Sequence, residues 1–329
     1  MSATAPSADL LAAREHDAAG RHYEAVNSLA RATRAGDLAA MSELGHRLLV
    51  GDRAPPLPED GVRFIVDAAK AGEPRALARA AALTAAGAFL PQDWPAAMRL
   101  LAAAAEAGDE SARGQLACLG DRPLEAWLQP PATQALHENV HRVAELASPA
   151  LCAWLIDRAR GRLEPARVYD SVSRSEMVHR MRSNTVANFN MATFDVVQAL
   201  VQARMSTACG WPMQHMEAPM VLHYDVGEQI RPHFDFIDVN APDYEQQIRE
   251  QGQRMVTFLL YLNDGYEGGE TTFPELGLVN RGVTGGGLYF LNADRQGQPD
   301  RRMLHTGSPP TSGEKWIVSQ FIRNIPLRR

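Results

Sequence analysis

The sequence predicts two domains: an N-terminal all-α solenoid of helical repeats, then a C-terminal α+β domain of the jelly-roll type with packing helices. Two observations indicate this division. First, Gly36, Gly72 and Gly108 recur every 36 residues within an alanine-rich, helix-forming background. Second, after Gly210 the apolar residues change from helical spacing to the alternation that is typical of strands.

Composition excludes several classes of protein. The 329 residues are 45% hydrophobic and 22% charged, as in ordinary globular proteins. The net charge of -6 argues against a general nucleic-acid-binding protein, because neutralising phosphates requires a basic surface. The chain has no long apolar run and begins without a signal-like segment, so we expect no membrane segment and a cytoplasmic location. Cys118, Cys152 and Cys209 are widely separated, which indicates buried thiols rather than a disulfide framework or a zinc site.

The first domain is predicted from a repeated segment. R-A-G-D-L-A-A at 34–40 recurs as K-A-G-E-P-R-A at 70–76 and as E-A-G-D-E-S-A at 106–112. A period of this length is typical of stacked helical hairpins, in which glycine allows a tight turn and a small residue lets helices approach. We therefore place an N-terminal tail at 1–19 and the repeat domain at 20–120.

The remaining chain is divided into a proline-rich connector at 121–147 and a second domain at 148–329. In the connector we predict one helix, at about 133–146. The second domain should begin with a helix at 148–159, started by Ser148-Pro149, and contain another at 192–209. The predicted strands, bounded by Gly, Pro, Asn or Asp, are 218–226, 254–262, 287–291, 303–306 and 316–325. Short strands with this punctuation favour a sandwich or jelly roll.

The candidate site begins with an H-x-D motif, His233 and Asp235, in Y-D-V-G-E-Q-I-R-P-H-F-D. Residues two apart on a strand point to the same face, so an imidazole and a carboxylate can converge on one metal ion. His305 lies on a predicted strand downstream and would complete a 2-His-1-carboxylate triad, which is typical of non-haem Fe(II) oxygenases. Lys315 follows ten residues later and offers a cation for the distal carboxylate of 2-oxoglutarate.

Residues 146 to 325 resemble the catalytic domain of prolyl 4-hydroxylases. Besides the H-x-D block, the resemblance is carried by L-L-Y-L-N-D (259–264), E-G-G-E-T-T-F-P-E-L (267–276), G-G-G-L-Y-F (285–290) and H-T-G-S-P-P-T-S-G-E-K-W (305–316). These blocks occur in the family's order. Residues 20 to 120 resemble the Sel-one-like branch of tetratricopeptide-type repeats, which usually bind protein or peptide.

The resemblance to prolyl 4-hydroxylases implies a double-stranded β-helix (cupin-like) that binds Fe(II), with 2-oxoglutarate and O2 as co-substrates and ascorbate as reductant. Succinate and CO2 would be released as the substrate is hydroxylated. By the same resemblance, Tyr224 and Thr271 would lie beside 2-oxoglutarate, and Tyr261 is a further candidate. Arg182 matches the arginine that approaches the peptide in that family.

The sequence leaves the substrate open. Arg182-Ser183-Asn184 replaces the family's R-T-S, and Phe321 stands where a second tryptophan is usual. The favoured function is hydroxylation of a side chain, with proline as the favoured target, in a peptide or protein that the repeats recruit or position. The alternatives are an oxygenase acting on a free amino acid or small metabolite, and a catalytically silent binding or sensing module. The polar segment 236–253 is interpreted as a lid loop or an ordinary connection, and nothing in the sequence indicates an oligomeric state.

Overall fold

The computed structural model describes residues 6–166, 168–170, 175–177, 182–241 and 243–327, and at 168–170 and 175–177 it describes the backbone alone. The chain forms two compact units. The first contains the residues as far as Leu124 together with Met191–Ala199, and the second contains Glu125–Asn190 and the chain from Leu200 onwards. Within the described ranges, no helix is both long and apolar enough to cross a membrane.

The first unit consists mainly of helices, and those that follow one another in the chain pack together. They are Ala8–Ala18 (α1), His22–Arg34 (α2), Leu38–Val50 (α3), Pro58–Lys70 (α4), Pro74–Ala86 (α5), Trp94–Glu106 (α6) and Glu110–Leu119 (α7). The predicted helical repeats are therefore confirmed. The prediction of a tail at 1–19 is wrong, because α1 buries Leu10 and Ala13 in a core that also contains Leu29 and Leu44.

The repeated A-G-D/E step ends one helix and begins the next. The three glycines at the turns have φ values of 89°, 86° and 107°, which lie in the left-handed region that glycine tolerates. They are Gly36, Gly72 and Gly108. The acidic residue after each glycine accepts a hydrogen bond from the backbone N–H three residues later and so caps the next helix. The capping pairs are Asp37–Ala40, Glu73–Ala76 and Asp109–Ala112. Each of these alanines is fully buried, so larger residues there would separate the helices.

The remaining helices are Leu124–Leu128 (α8), Pro149–Arg160 (α9), Val196–Cys209 (α10) and Tyr244–Gln251 (α11). The strands are Thr133–His137 (β1), Val140–Val143 (β2), Glu164–Pro165 (β3), Val168–Asp170 (β4), Ser175–Met177 (β5), Thr185–Asn188 (β6), Met220–Tyr224 (β7), Ile230–His233 (β8), Arg254–Tyr261 (β9), Glu267–Gly268 (β10), Thr271–Phe273 (β11), Leu278–Asn280 (β12), Gly287–Leu291 (β13), His305–Gly307 (β14), Pro310–Ser312 (β15) and Lys315–Arg323 (β16).

Two antiparallel sheets enclose the core of the second unit. The larger sheet has the order β1-β2-β13-β9-β16-β7-β6-β3, and the smaller has the order β12-β11-β14-β8. Ile230 and Phe273 of the smaller sheet share one buried cluster with Leu222 and Phe290 of the larger sheet. This arrangement agrees with the predicted jelly roll, or double-stranded β-helix, with packing helices.

The helix predicted at 133–146 is wrong, because this stretch forms the hairpin of β1 and β2. Val140 and Val143 are both buried, and their separation of three residues is one that a helix also produces. The deciding contribution is tertiary, since β2 also pairs with β13 from the far end of the chain. Hydrogen bonds to a distant strand leave no local signal in the sequence.

Most of the other predicted elements have counterparts. The strands predicted at 218–226, 254–262, 287–291 and 316–325 correspond to β7, β9, β13 and β16, and the helices at 148–159 and 192–209 correspond to α9 and α10. The strand predicted at 303–306 is wrong in part, because a short 3-10 helix occupies Arg301–Met303 and β14 starts at His305. The segment 236–253 contains α11, which buries no residue. Short strands such as β8, β11 and β12 were not predicted, because three or four residues show too little alternation.

Candidate functional site

Two histidines lie opposite each other in the smaller sheet. His233 ends β8 and His305 begins β14, and the antiparallel pairing aligns them directly. Asp235 lies in a bend beyond the end of β8, so the expectation that it shares a strand face with His233 is wrong. The bend nevertheless brings its carboxylate to both rings, with Oδ1 3.4 Å from Nε2 of His233 and Oδ2 3.3 Å from Nε2 of His305.

Backbone carbonyls orient both imidazole rings. Nδ1 of His233 donates to the carbonyl oxygen of Arg231 at 2.9 Å, and Nδ1 of His305 donates to that of Met303 at 3.0 Å. Because a carbonyl can only accept, each Nδ1 carries the hydrogen, and each Nε2 is the atom that faces Asp235. Metal-binding histidines are typically oriented in this way.

The carboxylate of Asp235 is buried and oriented by a hydroxyl. Thr257 Oγ1 donates to Oδ2 at 2.7 Å, and the side-chain amide of Asn292 donates to Thr257 Oγ1 at 2.9 Å. Burial alone would raise the pKa of the Asp235 carboxyl, but His305 and His233 hold it well below its usual range. The buried carboxylate is thus ionised and requires a nearby positive charge.

His233, Asp235 and His305 have the donor set of a metal site. Their ligand atoms all lie within 4.8 Å of one another, and two nitrogens with one carboxylate suit a divalent transition metal that keeps open positions. The same stretch contains a second H-x-D, His223 and Asp225, which sequence spacing alone does not distinguish from the first. His223 is instead bonded to Thr185 and Glu314, and the Asp225 side chain is 74% exposed.

A cavity of about 710 Å³ adjoins the triad, and Lys315 lies in its wall. Lys315 is 1% exposed, and its Nζ donates to the carbonyl oxygen of Gly269 at 2.7 Å. Burial lowers the pKa of the Lys315 ammonium to about 8, against a smaller opposing effect of Glu270. Among the described residues, the one hydrogen bond recorded for this buried ammonium is to a neutral carbonyl, so it is suited to bind an anion that enters the cavity.

Tyr224 and Thr271 also line the cavity. Tyr224 lies opposite Lys315 in the pairing of β7 with β16, and its ring centroid is 5.1 Å from the lysine Nζ. Burial raises the pKa of the Tyr224 phenol, which is therefore neutral. Tyr261 is not among the described residues that line the cavity; its hydroxyl lies 3.0 Å from Thr271 Oγ1. The structure thus brings three of the four predicted co-substrate residues to the cavity wall.

Arg182 and Phe321 lie in the same cavity wall. The backbone of Arg182 forms a bridge with Ile230, and its Nε is buried without a hydrogen-bond partner among the described residues. The guanidinium of Arg254 lies 3.8 Å from the centroid of the Phe321 ring, and Glu217 binds that guanidinium at 2.8 and 3.0 Å. Phe321, which stands where the prolyl 4-hydroxylases usually have a tryptophan, therefore has the guanidinium of Arg254 held against the face of its ring.

The sequence predictions missed Thr257 and Asn292. Thr257 lies in β9, whose residues R-M-V-T-F-L-L-Y are otherwise mostly apolar. The sequence offered one signal for Thr257, a single hydroxyl in an otherwise mostly apolar strand. A buried polar group needs a hydrogen-bond partner, so this hydroxyl indicated a polar contact. That partner, Asp235, lies twenty-two residues earlier in the chain, and nothing in the sequence identifies it.

Comparison with known proteins agrees with this geometry. The model of the 2OG-Fe(II) oxygenase superfamily matches residues 219–323. A probable prolyl 4-hydroxylase of Arabidopsis thaliana is 29% identical over 197 residues, which cover 54% of this chain and 66% of that protein. The chain thus spans just under two thirds of the length of this relative.

Two solved structures are similar to separate parts of the chain. The viral collagen prolyl hydroxylase vCPH from Paramecium Bursaria Chlorella virus-1, in complex with 2OG, has a TM-score of 0.44 and 24% identity over 57% of this chain and 97% of its own. A Sel1 repeat protein from Oxalobacter formigenes has a TM-score of 0.31 and 23% identity over 32% of this chain and 45% of its own.

The region matched by the family model contains the histidine pair, Asp235 and Lys315. Residues 219–323 thus match the 2OG-Fe(II) oxygenase superfamily model, and the chain has a prolyl 4-hydroxylase-like domain preceded by helical repeats.

Proposed function

We propose that this protein is an Fe(II)- and 2-oxoglutarate-dependent dioxygenase that hydroxylates a side chain, with proline as the favoured target, in a peptide or protein. Succinate and CO2 are the co-products, O2 is the second co-substrate, and ascorbate is the expected reductant. The observation that carries the proposal is that one cavity contains both the His233–Asp235–His305 cluster and the buried ammonium of Lys315.

Fe(II) is the metal that we assign to the cluster. When bound, it would activate O2 so that 2-oxoglutarate is oxidised to succinate and CO2 while a substrate C–H bond is hydroxylated. His233 and His305 would bind it through Nε2, because their Nδ1 atoms already donate to backbone carbonyls. Asp235 would supply the negative charge, with Thr257 keeping its carboxylate in place.

Lys315 is the residue that we assign to the distal carboxylate of 2-oxoglutarate. Its ammonium is buried, so a charge-assisted hydrogen bond to a carboxylate is stronger there than at a surface. Thr271 offers a hydroxyl in the same cavity wall, and the neutral phenol of Tyr224 offers another polar contact. Tyr261 contributes indirectly, through its hydrogen bond to Thr271.

A peptide substrate is supported by the unused polar and apolar groups in the cavity wall. Arg182 has a buried Nε without a partner among the described residues, and it can donate to a peptide carbonyl. Phe234 and Phe236 stack at 4.7 Å between ring centroids and line the same cavity, where they can pack against a pyrrolidine ring. The relatives whose names describe prolyl 4-hydroxylases also favour proline.

The test is turnover by the full chain with Fe(II), ascorbate, 2-oxoglutarate and proline-containing peptides. We expect succinate to form in step with a gain of one oxygen atom by a peptide, measured by mass spectrometry. Oxygen gain by free amino acids but by no peptide would favour the small-metabolite alternative. Binding of 2-oxoglutarate without any succinate would favour a silent sensing module.

The repeats are the part that we assign to substrate recruitment. A cavity of about 230 Å³ in the first unit is lined by Arg14, Arg75 and Arg79 as well as by Glu43 and Glu73. Arg79 and Glu43 pair with each other at 3.5 Å, whereas Arg14 and Arg75 are exposed. This leaves an excess of positive charge, which suits an acidic stretch of polypeptide.

Recruitment can be tested in the full chain with Arg14→Glu and Arg75→Glu together. We expect the KM for a long protein substrate to rise about tenfold, at unchanged KM for 2-oxoglutarate and for a short peptide. Arg99→Glu, a single charge reversal at an exposed position on α6, is the control for a change of surface charge elsewhere in the repeats. Equal KM values for the double variant and the control would show that the repeats serve stability alone.

A further inference from the structure

A chain of hydrogen bonds leads from the exposed side chain of Arg142, in the larger sheet, through buried residues to the cavity. Nε and Nη2 of Arg142 lie 3.1 and 2.9 Å from Oδ1 of Asn280. Nδ2 of Asn280 lies 3.0 Å from the hydroxyl oxygen of Tyr261, which lies 3.0 Å from Oγ1 of Thr271. Arg142 and Tyr261 belong to the larger sheet, whereas Asn280 and Thr271 are paired residues of the smaller one.

Chemistry fixes the direction of the bonds made by Asn280, and the need of the buried phenol hydrogen for an acceptor sets the direction of the bond to Thr271. A guanidinium has only donors, so the atom of Asn280 that faces Arg142 must be the carbonyl oxygen, and the amide nitrogen must face Tyr261. That nitrogen donates, so the phenol oxygen of Tyr261 accepts, and among the described residues Oγ1 of Thr271 is the one acceptor recorded for the buried phenol hydrogen. Oγ1 of Thr271 accepts this hydrogen, which leaves the threonine hydrogen available for a different acceptor.

Thr271 is the member of this hydrogen-bond chain that reaches the cavity. Thr271 lines the cavity together with Lys315, whereas Arg142, Asn280 and Tyr261 are not among its described lining residues. Tyr261, Thr271 and Asn280 are 1%, 3% and 1% exposed, so water does not compete for these bonds. Within the described part of the chain, the one side-chain hydrogen bond recorded for Thr271 is that with Tyr261.

We propose that Arg142 and Asn280 are positioning residues that, through Tyr261, orient the Thr271 hydroxyl as a donor toward the anionic end of the co-substrate beside Lys315. This inference rests on the proposed function. The reverse orientation would direct the oxygen lone pairs of Thr271 at a carboxylate in a buried site, where such repulsion is poorly screened. Arg142 lies outside the region matched by the family model, yet in this proposal it determines the direction of the hydrogen bonds as far as Thr271.

Asn280→Asp reverses the direction of the hydrogen bonds from residue 280 to Thr271, with little change in the shape of the side chain. The carboxylate still accepts from Arg142 but has no hydrogen for Tyr261, so the phenol donates to the carboxylate and Thr271 donates to the phenol. We expect 2-oxoglutarate to bind the full-length Mn(II)-loaded protein at least tenfold more weakly, as measured by calorimetry. In turnover, the KM for 2-oxoglutarate should rise far more than kcat falls.

Tyr261→Phe distinguishes the effect of hydrogen-bond direction on 2-oxoglutarate affinity from the effects of packing and of the introduced charge. Alone, it removes two hydrogen bonds but leaves Thr271 free to donate, so we expect only a two- to threefold loss of affinity. Added to Asn280→Asp, it should restore most of the affinity, although the introduced negative charge is still present. A double variant that binds no more tightly than Asn280→Asp alone would overturn the proposal, because charge or packing would then explain the loss.

Arg142 provides a second test that does not depend on a buried substitution. Arg142→Met removes the donors that fix the amide of Asn280, and we expect about threefold weaker 2-oxoglutarate binding; Arg142→Lys should restore most of it. Arg295→Met, at another exposed arginine, should have no effect. Unchanged affinity in Arg142→Met would contradict the proposed relay. Failure of the wild-type protein to bind 2-oxoglutarate would instead contradict the proposed function itself.

Discussion

His305 lies directly opposite His233 in the pairing of β14 with β8, and the centroids of the two rings are 4.3 Å apart. The sheet register therefore places the two nitrogen ligands, and the bend after β8 adds the carboxylate of Asp235. A site assembled by backbone pairing keeps its geometry without the metal, since each ring is oriented by the carbonyl two residues earlier in the chain.

His233→Ala should abolish the retention of Fe(II) and turnover together, because one nitrogen and one carboxylate cannot maintain the facial geometry. Metal content after dialysis and succinate formation are the measurements, with circular dichroism to verify folding. His223→Gln, in the second H-x-D, is the matched control and should keep its iron. Near-normal iron content in His233→Ala would refute the assignment of the cluster.

Lys315→Met should weaken 2-oxoglutarate binding by about 3 kcal/mol, or roughly a hundredfold, because it removes the buried cation and leaves a hydrophobic group of similar length. Iron retention should be unaffected, since Lys315 is not part of the metal cluster. Calorimetric titration of the metal-loaded variant with 2-oxoglutarate measures the first effect, and metal analysis measures the second. An unchanged affinity would mean that the distal carboxylate binds elsewhere.

The same lysine predicts the pH dependence of co-substrate binding. Burial lowers the pKa of Lys315 to about 8, so the ammonium is mostly charged below that pH and mostly neutral above it. An anion prefers the charged form, so affinity should be nearly constant below about pH 7 and fall about tenfold between pH 7 and 9. Bound 2-oxoglutarate should in turn raise the pKa of the ammonium. Lys315→Met should show no such fall, and a wild-type affinity that is flat across this range would contradict the prediction.

The sequence predicted the types of residue at the site better than their placement. His233, His305 and Lys315 were found because imidazoles and a cation in that order have few other uses in a strand-rich domain. The position of Asp235 beyond the strand was missed, because spacing alone does not reveal where a strand ends. Asn280 was missed for a different reason: its partners Arg142 and Tyr261 come from distant parts of the chain.

Long-range pairing explains the errors in the fold as well. The stretch at 133–146 is a hairpin because β2 joins β13, and the spacing of its buried valines is compatible with a helix until that partner is known. The helical repeats were predictable because each A-G-D/E step contains its own turn glycine and capping carboxylate. Local structure determined by neighbouring residues was therefore recovered, and structure determined by distant partners was not.

Gly269 is predicted to control the position of Lys315. Its carbonyl accepts the hydrogen bond from the lysine Nζ, and its φ is 68°. A Cβ atom at this position would lie 2.9 Å from the ring of Tyr266 and 3.3 Å from Cδ of Lys315. Gly269→Ala should therefore displace the ring or the lysine in addition to straining the backbone, and we expect 2-oxoglutarate to bind at least tenfold more weakly.

Gly277→Ala is the control that distinguishes backbone strain from displacement of Lys315 or the Tyr266 ring. Gly277 has a φ of 62°, close to that of Gly269, but an added Cβ would meet nothing within 4 Å. Both variants should lose about 1–2 kcal/mol of stability from the left-handed backbone, as measured by urea unfolding. Only Gly269→Ala should also lose affinity for 2-oxoglutarate. Equal affinities in the two variants would mean that the carbonyl of Gly269 does not position the ammonium, and that contacts such as those with the rings of Tyr224 and Tyr261 orient Lys315 instead.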